Sequence, residues 1–371
     1  MDKAETTVRN ILALAEVGVD GAQPWDLQVN SKNFYRRLLG QGSIALGETY
    51  IDGLWECEQI DVFIYKVTRA GLETKISVMS LLWPVLWSKM VNLQSRKRAF
   101  NIGEHHYDIG NELFKLMLDE SMAYTCGYWR EADNLADAQQ AKMDLVCRKM
   151  GLKAGMRVLD IGCGWGSFAR YAAQNYGVSV VGVTVSQEQI DLGREMCSGL
   201  DVDLRYQDYR DIEGRFDRVV SIGMFEAVGP KNFRTYMQTV ERCLEDDGLF
   251  LLHTIGTNAP DLQADPFTIK YIFPGGYLPL QKQIDAASQG VFIMEDWHNL
   301  GGDYDPTLMA WIANIKAARE QLEELGYDNR FYRMWTYWLH TAAGSDRARR
   351  NQLWQMVYSK RGLDNGYIPV R

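Results

Sequence analysis

The run Val158-Leu159-Asp160-Ile161-Gly162-Cys163-Gly164-Trp165-Gly166 joins an apolar strand to a helix through glycines spaced two apart. Glycine lets the backbone turn tightly and approach a ligand where any Cβ would clash. That arrangement points to a bound nucleoside. The dinucleotide fingerprint G-x-G-x-x-G wants its last glycine one place later, where this chain has Ser167. A pyrophosphate-bearing cofactor is therefore disfavoured against one without phosphates, such as S-adenosylmethionine.

Around this loop the chain alternates strand and helix patterns, which implies a doubly wound α/β sheet. Strands are expected at 157–161, 178–183, 202–206, 216–222 and 248–254, with helices at 167–175, 187–197 and 231–244. In such a sheet ligands sit outside the carboxyl ends of the strands. Four segments should converge there: the glycine loop with Asp160 and Gly166, Thr184-Val185-Ser186, Gln207-Asp208-Tyr209-Arg210, and Gly223-Met224-Phe225-Glu226. The second strand ends without a ribose-gripping acid and offers Thr184, Ser186 and Gln189 instead. Asp208 could accept from an adenine amino group.

Upstream, residues 1–95 read as a smaller, mainly helical N-terminal domain, and 96–371 as the catalytic domain. The segment 257–300, rich in proline and glycine, is too long for a simple loop and reads as an ordered lid insertion. Helical patterns at 307–325 and 330–343 lead to a last strand at 352–359. The longest apolar stretch, 76–91, is broken by Ser77, Ser80, Pro84, Ser88 and Lys89 and is too short to span a bilayer. Its Trp83 and Trp87, followed by Arg96-Lys97-Arg98, suit either a membrane interface or domain packing. Arg347, Arg349 and Arg350 form a second basic cluster.

The net charge of -8 disfavours a nucleic-acid partner, which would need a basic surface. The cysteines, Cys57, Cys126, Cys147, Cys163, Cys197 and Cys243, contain no C-x-x-C pair and read as reduced thiols rather than a disulfide or zinc framework. No secretory leader is visible, so a cytoplasmic location is expected. Adjacent histidines such as His105 and His106 point apart on a helix or strand, and no metal site is expected.

Several separate motifs occur in order: His106-Tyr107-Asp108-Ile109-Gly110-Asn111, Tyr124-Thr125-Cys126-Gly127-Tyr128-Trp129, the glycine loop, Gly223-Met224-Phe225-Glu226, Leu251-Leu252-His253-Thr254-Ile255-Gly256, and Tyr271-Ile272-Phe273-Pro274-Gly275-Gly276. On these the chain resembles the S-adenosylmethionine-dependent cyclopropane synthases. The likeness to those acting on fatty-acyl phospholipids runs nearly full length, and that to the mycolic-acid synthases starts at about Glu104. The resemblance implies a class I methyltransferase fold and methyl transfer from S-adenosylmethionine to the cis double bond of a phospholipid acyl chain, followed by ring closure. It also implies a bicarbonate ion as base, held by groups matching Cys126, Glu226, His253, Ile255 and Tyr304. By the same resemblance Tyr124, Thr125, Gly162, Gly164, Thr184, Gln189 and Phe225 line the cofactor, with Asp160, Gly166, Asp208 and Tyr209 completing the candidate set.

The chemistry agrees with these residue types. An isolated alkene is a feeble nucleophile, so the methyl must be held close and in line with water excluded. Aromatic faces among Phe273, Tyr277, Trp297 and Tyr304 could stabilise the resulting cation, although most aromatics pack cores. Glu226 follows a buried strand and must be paired or hydrogen-bonded there. A lone histidine at the position of His253 would more often be a satisfied core residue. Cys126 as a covalent nucleophile is the competing assignment, and it has no neighbouring general base in sequence. Where the family has histidine after the glutamate, this chain has Ala227, and activity is expected to persist. A membrane-resident substrate implies peripheral association with the inner face of the cell membrane, and a homodimer is open. A methyltransferase stopping at a methyl or methylene branch, and a noncatalytic lipid-binding module, are the alternative functions.

Overall fold

The computed structural model describes residues 2–72, 110–259 and 265–371. Its contacts divide the chain into two units. Among the described residues, one contains 2–72, 265–274 and 304–351, and the other 110–259, 275–303 and 352–371. The helical unit is thus discontinuous in sequence, whereas the sequence suggests a single cut near residue 95. The segment carrying Trp83, Trp87, Arg96, Lys97, Arg98, His105 and His106 lies outside the described residues.

The second unit is a seven-stranded sheet flanked by helices. Its strands are β1 Arg157–Ile161, β2 Ser179–Thr184, β3 Val202–Tyr206, β4 Phe216–Ile222, β5 Leu244–Thr257, β6 Ile293–Asn299 and β7 Asn351–Ser359. The spatial order is β3-β2-β1-β4-β5-β7-β6. Parallel pairing joins β1 to β2 and β4, β2 to β3, and β4 to β5, while β6 runs antiparallel to β7. Central strands covered on both faces should be continuously apolar. Accordingly Val158, Leu159, Ile161, Val219, Val220, Phe250, Leu251 and Leu252 are all buried.

Helix Ser167–Tyr176 starts from Gly166 and stops at Gly177, both in the left-handed region. Helix Gln187–Met196 is capped by Ser186, whose hydroxyl accepts from the Gln189 amide at 3.4 Å. Helices Leu135–Lys149 and Phe233–Cys243 complete the layers that matter to the site.

The expected lid dissolves into other elements. Residues 281–288 form a helix whose Ile284 and Ala287 join the sheet's core, and 293–299 form the edge strand β6. Helix Pro266–Tyr271 belongs to the other unit.

That helical unit is built on aromatic packing. Trp55, fully buried, meets Phe63 edge-on at 5.8 Å and Phe34 at 6.2 Å. Helix Asn329–Arg347 packs against Ile60–Arg69 and Tyr304–Ala317. A short antiparallel ladder, Gln28–Val29 with Trp55–Glu56, closes one side. The single helix expected over 307–325 is two, Tyr304–Ala317 and Arg319–Glu324. Among the described residues no helix is long and apolar enough to cross a membrane.

Candidate active site

The carboxyl ends of β1 and β4 open onto a cleft. It is lined by Tyr124, Thr125, Lys142, Asp160, Gly162, Gly164, Trp165, Gln189 and Gly223, among others. Gly162, Gly164 and Gly166 all have positive φ, which fits the tight turn their spacing implies. At Gly162 a Cβ would also stand 2.5 Å from Met224 Cβ. Gly166 is placed differently from expectation. It serves the start of the helix, where its missing Cβ leaves room for Cys197 Sγ and Leu204, and it does not line the cleft.

Tyr124 is set by aromatic packing on helix Asn111–Met117: its ring meets Phe114 edge-on at 5.1 Å. Phe114 also backs Trp165 at 5.0 Å, and the Trp165 indole donates to Asn111 Oδ1 at 2.8 Å. The Thr184 hydroxyl donates to Gln189 Oε1 at 2.9 Å and so orients the amide that lines the cleft.

Three candidates are drawn elsewhere. Phe225 is fully buried and stacks on Phe233 at 4.3 Å. Tyr209 packs on Tyr236 at 5.2 Å in the same core cluster, and burial pushes its hydroxyl up to about 12. Asp208 caps the turn after β3: it accepts from the Arg210 amide at 2.9 Å and from its guanidinium at 2.8 Å. None of the three lines the cleft. The sequence places them at strand ends correctly, but side-chain direction after a strand is decided by the turn that follows.

The second cluster lies where β4 and β5 end side by side. Ile222 pairs with His253, and the Gly223 amide donates to the His253 carbonyl at 2.9 Å. Glu226 follows in a short turn of helix, and its Oε1 accepts the Ile255 amide at 2.6 Å. That contact places the Ile255 amide in the same cluster as Glu226. Glu226 Oε2 is shielded from solvent and, among the described residues, accepts no hydrogen bond. Burial raises this carboxyl to about 7, against the lowering effect of the Ile255 amide.

His253 is 1% exposed. Desolvation, then the nearby charges of Lys142 and Lys149, holds it well below 6.5, so the ring is neutral. Gln355 Nε2, a donor only, faces Nδ1 at 3.2 Å. With the Gln355 amide in this orientation Nδ1 is the acceptor and the ring proton falls on Nε2, which is buried and, among the described residues, without a partner. Cys126 is buried, its thiol donating to the Gly127 carbonyl at 3.1 Å. Tyr304 begins the helix Tyr304–Ala317 in the helical unit, edge-on to Trp311 at 6.2 Å.

Two cleft-side residues escape a motif reading: Lys142, which lines the cleft, and Gln139, which holds its wall. Both occupy the buried stripe of helix Leu135–Lys149, together with Leu135, Ala138, Met143 and Val146. Polar residues in phase with an apolar stripe are the signal that could have found them. In the helical unit, Arg347 is not an available surface cation. It pairs with Asp305 at 2.8 and 2.9 Å and with Asp61 at 2.8 Å.

A parallel sheet of this order, with a glycine-lined cleft at the carboxyl ends of its central strands, defines a class I S-adenosylmethionine-dependent methyltransferase. The model of the mycolic acid cyclopropane synthetase family matches residues 94–356, and the chain belongs to that family. It is 52% identical over 362 residues to a cyclopropane-fatty-acyl-phospholipid synthase of Escherichia coli, covering 97% of this chain and 94% of the relative. A tuberculostearic acid methyltransferase of Mycobacterium tuberculosis is 32% identical over 90% of this chain and 79% of its own. The crystal structure of a mycolic acid cyclopropane synthase complexed with SAH and CTAB superposes with a TM-score of 0.67 at 30% identity, covering 70% of this chain and 98% of that one.

Proposed function

We propose that this chain is a cyclopropane fatty acid synthase. It transfers the methyl of S-adenosylmethionine to the cis double bond of an unsaturated phospholipid acyl chain and closes the ring by loss of a proton. The observation that carries the reading is a pair of shielded atoms at the ends of adjacent strands that have no partner among the described residues: Glu226 Oε2, an acceptor, and His253 Nε2, a donor in the tautomer that the Gln355 contact favours. Orphaned buried polar atoms are rare and call for a partner. One small oxyanion bearing its own proton satisfies both, and bicarbonate has that chemistry.

When bound, S-adenosylmethionine supplies an electrophilic methyl and bicarbonate a basic oxygen. The chain's part is to hold and orient. Gly162 and Gly164 let the backbone approach the nucleoside, and Gln189, oriented by Thr184, lines its cleft. His253, kept neutral by burial, donates from Nε2 without competing as an acid. The Ile255 amide fixes one Glu226 oxygen and leaves the other for the anion. Cys126 and Tyr304 belong to the same proposed set. Thr125, Asp160 and Tyr124 complete the cofactor side. The reading also includes peripheral association with the inner face of the cell membrane, where the substrate resides.

The test is incubation with S-adenosylmethionine and unsaturated phospholipid vesicles in carbon-dioxide-stripped buffer, then after adding bicarbonate. Expected is a lipid heavier by one CH2 that forms only once bicarbonate is restored. Equal activity in both buffers would remove bicarbonate from the site. The mycobacterial methyltransferase relative keeps a second reading open, a reduced methyl branch, whose product is two hydrogens heavier than the ring.

A further inference from the structure

The loop that carries Thr125 and Cys126 is stapled to helix Leu135–Lys149. Gln139 Nε2 donates to the carbonyls of Thr125 at 2.7 Å and Ala123 at 3.3 Å. The Tyr128 amide donates to the Ala138 carbonyl at 2.8 Å. On the far side the Thr125 methyl closes over Gly223, where a Cβ would stand only 2.7 Å away. Thr125 therefore has little freedom except in the rotation of its hydroxyl.

That rotation is set by Lys142. Its Nζ lies 2.8 Å from Thr125 Oγ1. An ammonium has donors only, so the hydroxyl oxygen must be the acceptor in this contact. The Thr125 proton then has to be given in another direction, and both residues line the cleft. Lys142 is 2% exposed, a placement that is costly for a lone cation. Burial brings its ammonium down to about 8 although Asp119 favours the charged form. Asp160, also 2% exposed, lines the same cleft. The cleft wall thus carries a cationic, donating group and a carboxyl, the two kinds of partner that a zwitterionic amino acid needs.

We propose that Lys142 is a positioning residue for the amino-acid end of the cofactor: it turns the Thr125 hydroxyl into a donor for the cofactor's carboxylate and supplies the charge that favours that anion. This rests on the reading that the cleft takes S-adenosylmethionine. The sequence motifs do not include Lys142, and the role follows from a contact that only the fold creates.

The test compares two ligands of the full-length chain by calorimetry: S-adenosylhomocysteine, and 5′-methylthioadenosine, which lacks the amino-acid end. Lys142→Met should weaken S-adenosylhomocysteine by about 10- to 100-fold, the range for a hydrogen bond involving a charge, and leave methylthioadenosine nearly unchanged. Thr125→Val should lose the same preference, and Thr125→Ser, which keeps the hydroxyl, should retain it. If Lys142→Met weakens both ligands equally, or neither, the proposal is overturned. Should that variant fail to fold, the Thr125 pair decides by the same criterion. Gly164→Val separates the two levels: it should weaken both ligands, and if it weakens neither, the cleft is not the nucleoside site and the underlying reading falls first.

Discussion

Two clusters, the one around Arg347 in the helical unit and the one at the strand ends of the sheet unit, bury charge in opposite ways. In the first the charges are cross-linked. Arg347 bridges Asp61 and Asp305, Arg37 bridges Glu48 at 3.2 Å and Asp52 at 2.7 Å, and Arg333 binds Glu56 at 2.9 Å and the Tyr50 carbonyl at 2.6 Å. Burial pushes Asp61 up, yet His340 and Arg347 outweigh it and hold the carboxyl well below the usual range. In the sheet unit Asp160 and Glu226 are raised to about 7, Lys142 falls to about 8 and His253 is neutral, all with burial as the largest cause. Around Arg347 pairing favours the charged form and serves the fold, whereas at the strand ends burial drives the groups toward neutrality, the condition in which acid–base chemistry can be tuned.

The sharpest way to break this contrast is Glu226→Gln. The isostere keeps the oxygen that takes the Ile255 amide but cannot ionise. Formation of the cyclopropane lipid should fall by about 10²–10⁴-fold, because in the proposed mechanism the bicarbonate that Glu226 holds is the positioned base. More than a tenth of wild-type activity would remove Glu226 from the chemistry. In the wild type kcat/KM should rise with pH through about 7 as Glu226 ionises, and that limb should vanish in the variant. Stability carries the opposite sign. A carboxyl raised from 4.5 to about 7 on folding contributes stability that is present below 4.5 and lost as pH climbs through 7. Above pH 7 the glutamine variant should therefore be at least as stable as the parent.

On the other side of the comparison, Arg347→Met should cost about 1–3 kcal/mol in chemical denaturation, because it strands Asp61 and Asp305 in a partly buried site. A loss under about 0.5 kcal/mol would place this cluster with ordinary surface ion pairs. The smallest effect is expected at Ala227, an exposed position in the turn after Phe225. Ala227→His should change activity by no more than about twofold, as surface substitutions do. An activity gain of tenfold would show that the family's histidine contributes chemistry that this chain has lost.

The inner strands 157–161 and 216–222 were legible from the short apolar cores Val158-Leu159 and Val219-Val220, and the edge strand 202–206 from its alternation of Val202 and Leu204 with polar residues; all three coincide with the elements found. Edge strand β6, Ile-Met-Glu-Asp-Trp-His-Asn, has neither an apolar run nor clean alternation, so proline-rich surroundings hid it inside an apparent lid. The glycine loop announced a cleft. Glu226 and His253 were identified by resemblance, since neither a lone carboxylate nor a lone histidine carries its own signal. Lys142 stayed hidden because a lysine on a helix reads as solvated until the buried face is known. Arg347 was misjudged for the converse reason: its partners Asp61 and Asp305 are far away in sequence.

The edge of the sheet has a further consequence. Strands β6 and β7 form an antiparallel pair, sealed at its mouth by the Leu300 amide on the Leu353 carbonyl at 2.8 Å and by Asn299 on Gln352 at 3.0 Å. Where such a hairpin normally has a tight turn, the chain here makes the whole excursion 304–351. The entropy of closing a loop grows only logarithmically with its length, so the ladder can tolerate a long passenger at small extra cost. The outermost hairpin therefore carries in place of a turn a whole segment of the helical unit, with Tyr304 at its start.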